Sequence, residues 1–132
     1  MYNDIYDKEQ FAYVYATLCK WLALKISGGS IADALRRQGI NTVALYGVGG
    51  LGEYAYSDLK NSGVEVVCFA DRRFEDFPNG IDGIAVYAPN AIPADADRIL
   101  VTPVYYFQQI LSDLLESGVA PERIISLSML ME

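Results

Sequence analysis

"LYGVGGLGEY" occupies residues 45 to 54 and carries four glycines in the six positions from Gly47 to Gly52. Gly47, Gly49 and Gly52 fit the pattern G-x-G-x-x-G, and what surrounds the pattern decides what it means. The residues before it, "NTVALYG" (41 to 47), are a short apolar, β-branched run closed by glycine, which predicts a buried strand. Those after it, 50 to 61, put Leu51, Tyr54, Ala55 and Leu59 on one helical face. Beyond Gly63, "VEVVCFAD" reads as a second strand. A strand-helix-strand unit of about 30 residues has the length of a right-handed βαβ crossover, so the two strands are expected to lie parallel.

Working outward, Asn79-Gly80 and Asp82-Gly83 mark turns, and "GIAVY" is a short third strand with no clear helix before it. "ADRILVTP" gives a fourth strand ended by Pro103. Residues 105 to 117 form a helix with Ile110, Leu111, Leu114 and Leu115 inward, and "ERIISL" supplies a fifth strand. The expected class is α/β: a Rossmann-like, three-layer open parallel sheet of about five strands in the order 3-2-1-4-5. The helix at 50 to 61 should cover one face and that at 105 to 117 the other.

Upstream, Asp7 can cap a helix with Gln10 completing a capping-box-like pair, and Phe11, Val14, Tyr15, Leu18 and Leu22 then recur at helical spacing. "SGG" (27 to 29) ends it. Ser30 with Asp33 starts a shorter helix through Ile31, Ala34 and Leu35, which Gly39 terminates. Residues 1–40 are thus expected to form an N-terminal helical extension and 41–132 a Rossmann-like domain, one compact unit, with nucleotide binding expected of the second.

Composition narrows the chemistry. The 132 residues are 52% apolar and 20% charged, as expected of one globular domain. Ten Lys and Arg against 17 Asp and Glu give a net charge of -7, which argues against nucleic-acid binding. The chain has no histidine, which removes every Ser-His or Cys-His nucleophile pair and every histidine metal site. Cys19 and Cys68 lie in apolar patterns without metal-ligand spacing, so buried free thiols are expected and no metal. The opening "MYNDIYDKEQ" lacks the basic segment of a secretory signal, and no apolar run approaches the roughly 18 residues of a membrane span. A cytoplasmic protein without membrane insertion is the expectation.

In a dinucleotide-binding βαβ unit the first glycine makes the turn, the second admits a pyrophosphate to the backbone, and the third lets helix and strand pack closely. The helix N-terminus then offers free N–H groups to phosphate. Asp71 stands 19 residues beyond Gly52, at the end of the second strand, where a carboxylate can accept hydrogen bonds from a ribose. That acid favours NAD over NADP, because it repels a 2′-phosphate. Arg72 and Arg73 could hold an anion, although adjacent arginines in a polar loop are commonly just solvated. Glu53 directly follows the last glycine, where it favours the helix dipole and would compete with a pyrophosphate. The same glycines also serve as a plain tight turn in domains that bind nothing.

"VALYGVGGLGEYAYSDLKNSGVEVVCFADRR", with "GIAVY" and "ADRILVTPVYYFQQILSDLLESGVAPERIISL", resembles the Rossmann-like domains attached to bacterial surface-polysaccharide enzymes, over roughly residues 41 to 127. These include the nucleotide-binding N-terminal domains of nucleotide-sugar dehydratases and epimerases, and of sugar acyltransferases. The resemblance implies that Gly47, Val48, Gly49, Gly50, Leu51, Gly52 and Asp71 contact NAD(P) or a nucleotide sugar, with Thr102 and Pro103 closing over the same crevice. The Tyr-x-x-x-Lys pair and the hexapeptide repeats of such enzymes are not in their expected places, so no complete catalytic set is expected. Tyr56 and Lys60 match Tyr-x-x-x-Lys by chance, on the wrong helix.

Two aromatic groups remain. Tyr105, Tyr106 and Phe107 follow the fourth strand, where they either stack on a base or pack into the core. Tyr2, Tyr6, Tyr13, Tyr15 and Trp21 make the N-terminal segment aromatic, and any surplus over what covers the sheet would suit a larger enzyme partner or a second copy of the chain. The functional expectation is a nucleotide-binding domain; the alternative is an accessory domain that keeps the fold without the ligand. Glu53 separates the two, according to whether it folds back over the turn amides or points away.

Overall fold

In the computed structural model, which describes residues 7–132, the run Thr42–Tyr46 is the central strand β1, buried from Val43 onward because both faces of its sheet are covered. It pairs in parallel with β2 (Glu65–Ala70) and with β4 (Arg98–Val101). The two-residue β3 (Val86–Tyr87) extends the sheet beyond β2, and β5 (Ile124–Ser126) beyond β4. The order is therefore 3-2-1-4-5 with all strands parallel, as the crossover lengths require. Between β2 and β3 the chain makes a 3-10 turn (Phe74–Asp76) and a tight reversal joined by the Ile81–Ile84 bridge, instead of a helix.

Helix α3 (Leu51–Leu59) lies on one face of the sheet together with α1 (Lys8–Ile26), α2 (Ile31–Arg37) and the short α5 (Leu127–Leu130). Helix α4 (Phe107–Glu116) covers the other. Alternation along β1 sends Val43 and Leu45 to the first face and Ala44 and Tyr46 to the second. In β2 the register slips between Val66 and Cys68, so Val67 is an extra residue and Phe69 shares a face with Val66. This bulge has no signature in "VEVVCFAD". Because α1 and α2 belong to the same core cluster as α3, the helical extension is part of the unit.

The orientation of α1 departs from the expectation. Its buried residues are Gln10, Thr17 and Trp21, while Phe11, Tyr15 and Leu22 are more than half exposed. The cause is a set of polar anchors. Trp21 Nε1 donates to Asp58 at 2.9 Å, and the same carboxylate meets the Ile31 amide and pairs with Lys25. Gln10 Nε2 donates to the Tyr106 hydroxyl at 3.0 Å, so it does not reach back to complete a capping box, although Asp7 does cap the helix by accepting from the Gln10 amide. Satisfying these groups rotates the most apolar stripe of α1 outward.

Smaller corrections follow the same rule that only one arc of a surface helix is buried. Tyr54 of α3 and Leu115 of α4 are exposed, leaving Leu51, Ala55 and Leu59, and Ile110 and Leu114, as the inward residues. Cys19 is an exposed thiol because it sits on the outer side of α1, whereas Cys68 is buried in β2. Helix α5, absent from the sequence expectation, packs Leu127 and Leu130 into the first face. Tyr2 and Tyr6 lie outside the described residues.

Candidate functional site

The chain leaves β1 at Gly47, whose φ of +107° belongs to the region glycine alone enters freely, and whose amide donates to the Ala70 carbonyl at 2.8 Å. Four residues later α3 begins so close to this point that a β-carbon on Gly52 would overlap the Gly47 carbonyl. Thr102, fully buried at the end of β4, donates its hydroxyl to the Tyr46 carbonyl at 2.8 Å and supports Gly47 from beneath, with Pro103 beside it. Gly47 and Gly52 therefore have structural roles that need no ligand.

Gly49 is different. Its backbone is unstrained, and a β-carbon there would meet only one atom, Nη2 of Arg73, at 3.1 Å. Among the described residues no acceptor meets the amides of Gly49, Gly50 or Leu51, the N-terminal donors of α3. Glu53 is exposed and its carboxylate accepts from none of the turn amides among the described residues; only its own amide bonds the turn, donating to the Gly50 carbonyl. The acid that was to decide between a free and a self-occupied turn thus leaves the amides open.

Asp71 occupies the expected position but is already engaged. One carboxylate oxygen accepts from the Val48 amide at 3.0 Å; the other accepts from the Arg73 amide at 2.8 Å and from Arg73 Nε at 3.3 Å. The pairing also offsets the negative charge on which a preference for NAD over NADP rests. Anchored through Nε, the Arg73 guanidinium places its Nη2 over Gly49. Arg72 points the other way, to Asp113 of α4 at 3.3 Å, because consecutive residues leaving a strand diverge to opposite faces of the sheet. It does not line the cleft.

That cleft has a volume of about 610 Å³ at the C-terminal ends of β1 and β4. Gly47 to Leu51, Glu53, Asp71, Arg73, Thr102 and Pro103 form its floor and one wall. Tyr105 and Tyr106 form another, edge to face at 5.1 Å, and Tyr13 of α1 packs on Tyr105. Burial, with Glu9 and Asp7 nearby, pushes the Tyr105 hydroxyl up, so it remains a neutral donor. Phe107 leaves this group and packs with the core on the α4 side. Gln10 and Val14 of α1 and Phe77 and Ile81 of the β2–β3 connection also line it. Sequence reasoning missed these four, since Gln10 reaches the site through Tyr106, 96 residues away, and the other three are ordinary apolar residues.

Residues 39–125 match the family described as C2185-like, N-terminal. The chain belongs to that family. The shared region runs from just before β1 into β5, so the glycine turn, Asp71, Arg73 and Thr102 fall inside it, while Gln10 and Val14 of α1 fall outside. No curated protein and no solved structure matches the chain.

Tyr56 and Lys60 have a different partner. The Tyr56 hydroxyl donates to Asp82 at 2.5 Å and Lys60 pairs with the same carboxylate at 3.0 Å, pinning the β2–β3 connection to α3. The bond to Asp82 raises the Tyr56 pKa, opposite to what a tyrosine acting as a base needs. Among the described residues no cluster of three His, Cys, Asp or Glu could hold a metal, and no helix is long and apolar enough to cross a membrane.

Proposed function

We propose that the chain binds a phosphate-bearing nucleotide, NAD(P) or a nucleotide sugar, in the cleft at the glycine turn, as a binding domain without a complete catalytic set of its own. The observation that carries this reading is the convergence of three amides without a partner among the described residues, at Gly49, Gly50 and Leu51, with the Arg73 guanidinium on one open volume. Helix N-terminal donors and a bidentate cation are the two groups that recognise phosphate best. The volume falls within the roughly 300–1,000 Å³ of small-molecule sites, and the tyrosine wall supplies a surface for a base or sugar. The likeness of residues 41 to 127 to the domains of surface-polysaccharide enzymes supports a nucleotide sugar among these ligands.

A second reading is supported by the Asp71–Arg73 pair, which satisfies the acid internally and suits an accessory domain that has kept the turn and lost the ligand. A thermal-shift panel of NAD, NADP, FAD, ADP, UDP-sugars and CoA distinguishes the two. A true ligand at 100 times its Kd adds about 2.7 kcal/mol of stability, and the gain disappears in Arg73→Gln and Gly49→Val. If no compound of the panel raises the melting temperature, the accessory reading replaces the first.

A further inference from the structure

We propose that the outward stripe of α1 is a self-association surface that joins two copies of this chain about a two-fold axis. The stripe consists of Phe11, Tyr15, Leu18, Leu22 and Ile26, at intervals of four, three, four and four, which keep side chains along one seam of a helix. These residues are 61, 63, 38, 62 and 77% exposed. Among the described residues no charged side chain crosses the seam between Phe11 and Ile26: Lys20 turns toward Ser128 and Glu132, and Lys25 toward Asp58.

Area argues for a second copy. Five such side chains leave on the order of 600 Å² of mostly apolar surface, at the top of what a monomer exposes in one patch. Pairing two of them buries at most about 1,200 Å² in total, which reaches the lower limit of a stable specific interface. The stripe is also self-complementary. In an antiparallel pair the aromatic half, Phe11 and Tyr15, meets the aliphatic half, Ile26 and Leu22, of its mate, and the helix dipoles oppose. The axis then passes between Leu18 and Cys19, so each Cys19 lies near its counterpart. Since Gln10 and Val14 on the inner side of the same helix line the cleft, the pairing holds one wall of that cleft in place.

Sedimentation velocity and light scattering on the full chain test this. The expected mass is twice the 14.6 kDa of one chain. The double variant Leu18→Lys, Leu22→Lys should return it to a single chain with unchanged circular dichroism, because both side chains are exposed in the protomer; Tyr15→Ser with Leu22→Ser is the milder pair should lysines perturb the fold. A short bismaleimide should link Cys19 to Cys19 in the parent and fail in the variants, the buried Cys68 staying silent. A parent that sediments as one chain overturns the proposal, leaving the stripe to another partner. So does a dimer that survives the substitutions, which would use another face.

Discussion

The carboxylate of Asp71 accepts a hydrogen bond from the Val48 amide at 3.0 Å, and so ties the end of β2 to the glycine turn after β1. The same side chain holds Arg73 through its amide and Nε. Asp71→Ala removes all three contacts at a side chain only 14% exposed, and a loss of about 1.5–3 kcal/mol in urea unfolding is expected. Asp71→Asn keeps an acceptor oxygen and should lose less. Equal stability of all three proteins would mean that the turn holds its shape without the acid.

Gly49 and Gly52 should respond in opposite ways to the same side chain. Valine at 52 would overlap the Gly47 carbonyl, backbone against backbone, and the start of α3 must move. Gly52→Val is expected to cost about 1–3 kcal/mol or more of stability, with or without ligand. A β-carbon at 49 meets only a movable guanidinium, so Gly49→Val should fold nearly as well as the parent and weaken nucleotide binding at least about tenfold, roughly 1.4 kcal/mol. Isothermal titration beside thermal melts reads both effects. Undiminished binding in Gly49→Val would reduce the glycines to a turn.

The sheet was legible because its information is local: apolar β-branched runs, two of them closed by Gly47 and Pro103 and one opened by Gly63, separated by crossover lengths that force parallel pairing. The position of Asp71 was legible for the same reason, but its partners were not. Which way α1 faces depended on Trp21 finding Asp58, 37 residues away, and Gln10 finding Tyr106. A stripe of Gln10, Val14, Thr17, Trp21 and Leu24 looks less apolar than Phe11, Tyr15, Leu18 and Leu22, and it wins because its polar atoms are satisfied inside. The division of labour between Arg72 and Arg73 escaped too, since nothing in two adjacent arginines says which side of the sheet each takes.

Asp58 is the hinge of that packing. Its side chain is 5% exposed and receives Trp21 Nε1, the Ile31 amide and the Lys25 ammonium. Asp58→Ala leaves the indole N–H and an amide at the α1–α2–α3 junction unpaired, at an expected cost of about 2–3 kcal/mol. Trp21 is the only tryptophan, so its emission reports on the junction directly: a red shift is expected in the variant as α1 loosens. Unchanged emission and stability would show that apolar contact alone orients the helix.

The two thiols should behave as different chemical species. Cys19 is exposed on α1 and should react with Ellman's reagent in the native protein near neutral pH. Cys68 lies in β2 beneath α4, 1% exposed, and burial pushes its pKa from 9.0 up to about 11. One thiol is therefore expected to titrate before denaturation and two after. Because the folded state raises this pKa, it holds the Cys68 proton more tightly than the unfolded chain. The resulting stabilisation is fully present below about pH 9 and is lost as the pH rises through about 11. Unfolding free energies measured across that window should fall more steeply for the parent than for Cys68→Ala. Parallel curves, or a Cys68 that reacts as fast as Cys19 in the native protein, would mean that the layer formed by α4 opens to solvent.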